Sequence, residues 1–446
     1  METTIGLDTQ PIGRLFIKYT IPSIIGMLFF SIYIVIDGIF VGRVVGGSGL
    51  AAINIAMPFF SIAMAISIML SAGASTVVGI ELGQGKLKEA SQSFSLAFYT
   101  LMLVSISVGI VTLLFLEPIA IILGATPELL SMVKVYLVIL CLSTPVFTGG
   151  GLLSSGIRAM GKPNYAMAVM IVGSVLNIVF DYVLVVEWHW GVAGAALASG
   201  FAFAISFGVG LVPYFLKGSV LHFTKCKLDF KKVGRFFYNG SSEALTEVAV
   251  AFSTYIFNIV LLNHIGEQGV SAFSIISYIS SLLIAVLLGI ATGMQPIISF
   301  NYGAGKGRRI IHLNRLGIKV VAIVGIACTI GMFIYGETLI NFFAPNDPEL
   351  IQMTNEATRL YSLAFLINGI NILASAYFTA LEEAKLSAII SLLRGIVFVL
   401  IGIIFLPPIL GNAGIWLTVF FSEVLTLVIT LKLIRKSYNE LVDNIK

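Results

Sequence analysis

Two aspartates stand inside apolar stretches of this sequence. Asp37 ends the run 31–36, and Asp181 follows the run 177–180. Placing an ionisable side chain within the hydrocarbon of a membrane costs about 2.5–3.5 kcal/mol on insertion scales. Such residues are rare and usually have a function, so we predict a functional role for each acid. Asn177 precedes Asp181 by one helical turn and lies on the same face. Two acids at similar depth could form a coupled proton site, or a sodium site together with the Asn177 oxygen.

A structural alternative is that both acids merely cap helices near the membrane surface. The chain repeats itself at an offset of 220 residues, and this repeat argues against that alternative. At that offset Asp37 becomes Phe257 and Asp181 becomes Ile401, although glycines such as Gly73 recur. The fold therefore does not require acids at these positions, which favours a functional interpretation.

A second polar set lies in the other half of the chain. Glu243, Glu247, Thr254 and Asn258 are spaced i, i+4, i+11 and i+15, which predicts one helical stripe facing a cavity. Glu243 could instead lie at the membrane surface near basic residues, so both interpretations stay open. The tenth predicted helix matches the stripe with five polar residues: Tyr361, Asn368, Asn371, Ser375 and Thr379. For Arg394 and Glu423 we predict a structural ion pair between neighbouring helices.

The composition indicates which solvent surrounds these residues. Of 446 residues 58% are hydrophobic and 11% charged, and the mean hydropathy is +1.02. Soluble domains carry about a quarter charged residues, and a bilayer-spanning helix needs about 20 mostly apolar ones. We therefore predict an all-α integral membrane protein with twelve spans: 15–41, 51–80, 93–116, 131–155, 164–186, 192–216, 236–261, 270–299, 315–337, 354–381, 384–408 and 412–435.

The loop charges predict the orientation and the division of the chain. Basic residues concentrate in the even-numbered loops and the carboxyl-terminal tail, whereas the odd-numbered loops are mainly acidic. By the positive-inside rule both termini are cytoplasmic, and we expect a prokaryotic cell (inner) membrane. No removable signal peptide is expected. We predict an amino-terminal six-helix lobe (1–218), a basic cytoplasmic linker (219–235) and a carboxyl-terminal six-helix lobe (236–446).

Six helices in each half give the two repeats the same orientation. Parallel repeats of this kind are typical of transporters that bind cargo in a central cleft and work by alternating access. The repeated loops 83–86 and 303–306 lack the spacing of a phosphate-binding loop, and we predict tight turns there. The histidines and cysteines have no metal-ligand spacing. We expect a secondary transporter and not an enzyme, with no cofactor and no metal beyond a coupling ion.

The sequence resembles the multidrug and toxic compound extrusion (MATE) family over about residues 11–437, and within it the DinF-like kind. Five segments carry the resemblance: Asp37–Gly38, 79–86, 158–163, Asn177–Asp181 and 191–196. The resemblance implies an ion-coupling site in the amino-terminal lobe and a first helix that bends at a proline. The residues at the matching positions are Pro22, Asp37, Tyr136, Asn177, Asp181 and Ser199. Asn368 stands where NorM-like members carry an acid.

The resemblance also implies export of small organic molecules, mostly cations, in exchange for protons or sodium. We expect a monomer in the lipid bilayer that binds no nucleic acid. A lipid-linked oligosaccharide flippase of the same superfamily is the alternative, but it needs a cationic cavity, and the predicted spans offer essentially Arg394 alone. A membrane-embedded enzyme is a third class, and the spans lack the acid and histidine motifs that it would need.

Overall fold

Helices account for nearly all of the chain in the computed structural model, which describes residues 6–343 and 347–443. Within those two ranges no β-strand is present. A helix satisfies its own backbone hydrogen bonds, which is what a chain surrounded by lipid requires.

From residue 6 onwards, the first half of the chain contains seven α-helices. Their bounds are α1 (Ile12–Val44), α2 (Gly47–Gly83), α3 (Leu87–Leu114), α4 (Leu116–Ile122), α5 (Leu130–Ala159), α6 (Pro163–Asp181) and α7 (Gly191–Phe215). A turn of π-helix, Tyr182–Glu187, continues α6. The short α4 lies in a segment that the sequence predicted as a loop.

In the second half, the described residues up to 343 and from 347 to 443 form eight α-helices and a second π-helical turn. Their bounds are α8 (Phe230–His264), α9 (Glu267–Gly303), α10 (Gly307–Phe343), α11 (Pro348–Ser362), α12 (Phe365–Ala380), α13 (Ala384–Leu392), α14 (Phe398–Leu410) and α15 (Asn412–Asp443). The π-helical turn Leu393–Val397 joins α13 to α14.

These elements confirm the predicted twelve-helix membrane fold. Among the residues that the structure describes, eleven helical segments are long and apolar enough to cross a bilayer, and the bent pair α11–α12 makes the twelfth. The pair bends by 49° at Leu363–Ala364. The Ala364 N–H bonds the Tyr361 carbonyl at 3.1 Å, three residues back, so the α-helical ladder stops there without a proline. The predicted span 354–381 is this bent pair.

The two glycine-rich loops are tight turns, as predicted. Gly85 and Gly305 have φ angles of 76° and 69°, in the left-handed region that favours glycine. In each loop the next amide reaches back to the helix: Lys86 N–H to the Glu81 carbonyl, and Lys306 N–H to the Asn301 carbonyl. This pattern ends α2 and α9 in the same way.

The chain divides into two compact units. One contains Ile21–Gly240, and the other contains Gln10–Thr20 together with the chain from Ser241 onwards. The helix after the predicted linker already begins at Phe230, inside the predicted 219–235 segment. α1 and α8 therefore each begin in one unit and continue in the other. Each unit has an apolar core, around Ala52, Leu137 and Val185 in the first and Leu261, Ala272 and Ile415 in the second.

Candidate functional site

The Asp37 and Asp181 carboxyls face each other inside the amino-terminal unit. Asp181, the last residue of α6, is completely buried, and Asp37 of α1 is half-buried. The two carboxyls approach within hydrogen-bonding range of each other. Within the described chain, no donor reaches either Asp181 oxygen or Asp37 Oδ1. Two carboxylates can only accept hydrogen bonds, so their contact requires a proton or a bound cation between them.

Two buried tyrosines complete the surroundings of this pair. Tyr33 and Tyr136 are each 6% exposed, and their phenol groups lie within electrostatic range of both carboxyls. Tyr136 belongs to the predicted site, whereas Tyr33 does not. Its spacing of four residues before Asp37 on the same helix was the signal that could have found it.

Asn177 lies one turn before Asp181 and is 1% exposed. Its amide nitrogen donates to Ser199 Oγ at 3.0 Å, which fixes the amide, while Asn177 Oδ1 has no partner among the described residues. Carboxylate and amide oxygens are ligands for hard cations. No group of three or more His, Cys, Asp and Glu side chains suited to a metal occurs in the described ranges. These oxygens could hold a proton or a small hard cation.

The local helix geometry changes at the acid. α6 gives way to the π-helical turn directly after Asp181, and the Trp188 N–H bonds the Val183 carbonyl five residues back at 2.9 Å. Single π turns inside helices recur at functional sites. Pro22 lies in α1 fifteen residues before Asp37, about 22 Å along the helix, so it does not form part of the pair's surroundings.

The carboxyl-terminal unit holds its buried acid differently. Arg394 Nε lies 3.4 Å from Glu423 Oε1, which confirms the predicted ion pair. Asn371 Nδ2 donates to Glu423 Oε2 at 2.6 Å and to the Glu423 carbonyl at 3.0 Å. Asn368 Oδ1 accepts from Arg394 Nη2 at 3.5 Å, and the Tyr361 phenol lies in the field of both charges. Glu423 is therefore neutralised within its own unit.

The four residues of the predicted stripe on α8 lie in different environments. Glu243 accepts hydrogen bonds from Gln295, at 3.3 Å, and from Thr379, and Glu247 lies near it, half-buried. Thr254 is exposed, and its hydroxyl donates to the Val250 carbonyl of its own helix at 3.0 Å. Asn258 is half-buried. The structure brings the two glutamates together, but not with the two residues farther along the helix.

Ser375 lies in a network of buried hydroxyls. Its Oγ is 2.8 Å from Ser387 Oγ and 3.2 Å from Ser391 Oγ. Thr379 joins the network through Ser387 at 2.9 Å, and Thr246 joins it through Ser391 at 2.7 Å. Small hydroxyl residues of this kind hold membrane helices together at close range, here α8, α12 and α13.

Comparison with known families identifies the fold's relatives. The sequence profile of the family described as MatE matches residues 22–183 and 244–408, one block in each half of the chain. The chain belongs to the MatE family. Both acids of the amino-terminal pair lie within the first block, and the Arg394 side of the ion pair lies within the second.

Individual relatives agree with this assignment. The multidrug export protein MepA of Staphylococcus aureus (strain MSSA476) is 24% identical over 419 residues, which cover 93% of this chain and 92% of MepA. MepA of Staphylococcus haemolyticus (strain JCSC1435) is also 24% identical, with the same coverage of both chains. The outward-facing structure of a multidrug resistance MATE transporter of the MOP superfamily matches with a TM-score of 0.93 and 20% identity, covering 98% of each chain.

Proposed function

We propose that this protein is a secondary antiporter of the DinF-like kind, which exports small organic compounds, mostly cations, in exchange for protons or sodium. The observation that carries the proposal is the buried pair Asp37–Asp181, which lacks a basic partner among the residues that surround it. The names of the MepA relatives support multidrug export as the activity. Both lobes would alternate access to the two membrane faces, with both termini in the cytoplasm.

The ion gradient can drive this export. In a one-for-one exchange with a monovalent cation no net charge moves, so the concentration gradient of the ion is the driving force. Each additional ion that enters moves one net elementary charge, which across 100 mV supplies about 2.3 kcal/mol. In the proposed cycle the ionised pair attracts a cationic compound from the cytoplasm. The same carboxyls then take up an external proton or sodium ion, which removes their attraction for the compound and releases it outside.

The neutralised acid of the other unit supports placing the coupling site in the amino-terminal unit. Arg394 is tied to Glu423 at 3.4 Å, so its charge is already compensated. This is also why cationic cargo is favoured over the pyrophosphate group of a lipid-linked oligosaccharide. Glu243 and Glu247 remain candidates for contact with the compound, together with Tyr361, Asn368 and Asn371.

The test is a measurement of ion release on binding. The purified transporter in weakly buffered detergent is mixed with tetraphenylphosphonium, and released protons are recorded with and without sodium. We expect the wild type to release protons, and sodium to compete if it uses the same oxygens. Asp37→Asn and Asp181→Asn should each abolish the release, whereas Glu117→Gln, outside the spans, should not. Release of wild-type size in both aspartate variants would refute the coupling assignment.

A further inference from the structure

The helix α8 begins in one unit and continues in the other. Residues 230–240 lie in the amino-terminal unit, and from Ser241 the helix continues in the other. α1 shows the reverse arrangement, because Gln10–Thr20 belongs to the carboxyl-terminal unit. Any relative movement of the two units must therefore be absorbed where these helix ends are held, or within the helices themselves.

A charged contact holds the beginning of α8. Lys232 Nζ lies 2.9 Å from Glu81 Oε1, and Ser93 Oγ donates to Glu81 Oε2 at 2.5 Å. The Glu81 side chain is 8% exposed and that of Lys232 is 24% exposed. We call Glu81, Ser93 and Lys232 the clasp. Loss of Lys232 would leave the nearly buried Glu81 carboxylate without a compensating cation, so the pair favours the position of the helix end seen here.

The segment before α8 is docked on the same unit. Asp229 caps the helix by accepting from the Lys232 N–H at 3.1 Å. The Thr224 N–H donates to Ser95 Oγ at 3.0 Å, and the Phe223 ring packs 4.9 Å from that of Phe98. A side chain at Gly73 would overlap the backbone at Phe236, so α2 and α8 are in close contact there. The clasp therefore holds the beginning of α8 directly after a segment, residues 223–229, that is itself docked on the amino-terminal unit.

The beginning of α1 is held by a related contact in the carboxyl-terminal unit. Asn301 stands 220 residues after Glu81, at its equivalent position in the repeat. Asn301 Oδ1 accepts from Arg309 Nε at 3.0 Å, and Arg309 Nη2 donates to the Gln10 carbonyl at 2.6 Å. The contact at α8 joins two full charges, of which Lys232 is exposed enough to regain water when it separates.

We propose that the clasp of Glu81, Ser93 and Lys232 is a reversible lock, which keeps the beginning of α8 in the amino-terminal unit and opens during each transport cycle, so that the movement is absorbed at this helix end and not by bending within α8. The part of this inference that concerns the transport cycle rests on the antiporter activity proposed above. The lock stabilises one conformation and so sets the rate at which the transporter leaves it.

The first experiment measures the lock without any transported compound. Hydrogen exchange of the amides in 224–236 is followed by mass spectrometry in Glu81→Gln and Lys232→Met. We expect at least tenfold faster exchange than in the wild type, and faster maleimide modification of Cys226 in the same segment. Ser93→Ala should have a smaller effect in the same direction. Wild-type exchange in both charge variants would overturn the lock.

Matched variants separate the lock from a general loss of surface charge. Lys231→Met removes the exposed neighbour of Lys232, and Glu89→Gln removes the exposed acid that lies 3.8 Å from Lys86. Neither should change exchange in 224–236. The doubly reversed variant Glu81→Lys with Lys232→Glu should bring exchange back toward the wild-type rate. Equal acceleration by the control variants would also overturn the lock.

The second experiment measures transport in proteoliposomes. We expect Glu81→Gln and Lys232→Met to change the export rate at least threefold while the affinity of the purified protein for the compound stays within twofold. Faster exchange with an unchanged export rate would overturn the role in the cycle and leave a static anchor. If the wild type exports no organic cation, the antiporter proposal fails, and the exchange experiment still tests the lock.

Discussion

Each half of this chain buries a carboxylate in its helices, but the two halves treat it in opposite ways. Asp181 in the amino-terminal unit has another acid beside it and no donor on its oxygens among the described residues. Glu423 in the carboxyl-terminal unit has Arg394 and Asn371 on its oxygens. A compensated acid holds helices together. An uncompensated acid is a cost to the fold that an ion can relieve, which is what a coupling site requires.

The largest expected effect is on transport by Asp181→Asn. The substitution removes the group that exchanges its ion, so we expect gradient-driven export of a cationic dye to fall at least tenfold. Thermal stability should be equal to or above that of the wild type, because an uncompensated buried charge is lost. Export is measured in proteoliposomes and stability by the fluorescence melting curve. If Asp181→Asn exported at the wild-type rate, the proposed functional difference between Asp181 and Glu423 would be wrong.

The reverse result is expected for Glu423→Gln. Breaking a buried ion pair from one side costs about 3–5 kcal/mol, because Arg394 is left buried without its partner. We expect a clear drop in melting temperature, with ion-coupled export retained by the folded fraction. The double variant Arg394→Met with Glu423→Gln should recover part of the loss. If Glu423→Gln abolished ion release while the protein stayed folded, the carboxyl-terminal unit would hold a coupling site as well.

A smaller effect is expected for Asn177→Ala, and its result distinguishes sodium coupling from proton coupling. The substitution removes Asn177 Oδ1, the unpartnered amide oxygen beside the acid pair. Proton coupling needs only the carboxyls, whereas sodium needs several oxygen ligands. We therefore expect a loss of about 1 kcal/mol in sodium affinity, about fivefold, if sodium is used, and little change in proton-driven export. Ser199→Ala, which removes the partner that orients the amide, should have a weaker effect in the same direction.

The smallest effect is expected at Glu117, an acid outside both units' cores. Lys134 Nζ donates to it at 2.8 Å, and this hydrogen bond holds the pKa of the exposed Glu117 carboxyl below its usual range. A lowered pKa in the folded state means that any stabilisation is present above the unfolded pKa and is lost as the pH falls through the folded one. Because the pair is exposed and screened by solvent, Glu117→Gln should lower the melting temperature at neutral pH only slightly and leave export unchanged. A loss of export would show that acids outside the spans also matter.

The hydropathy of the sequence was sufficient to predict the twelve spans, because lipid permits few alternatives to long helices. The repeat identified Asp37 and Asp181 as departures from the scaffold, and charge placement predicted the Arg394–Glu423 pair. Spacing along one helix could not show that Thr254 is exposed while Glu243 meets Gln295, since that depends on neighbouring helices. Tyr33 was missed because an aromatic residue in an apolar helix usually packs. Lys232 was missed because it lies within a run of basic residues that predicts only a linker.

The two π-helical turns place one additional residue in the fifth span of each half, directly at its ionisable side chain. A wide turn of this type leaves carbonyl oxygens available to other donors. In the carboxyl-terminal unit Ser422 bonds the Arg394 carbonyl and Ser253 bonds the Gly395 carbonyl, so neighbouring helices are fastened at this turn. Deleting a single residue from Tyr182–Glu187 would restore regular winding and rotate everything beyond it by about 100° relative to Asp181. The orientation of the far end of the span therefore depends on how many residues the π-helical turn contains, and not on which residues they are.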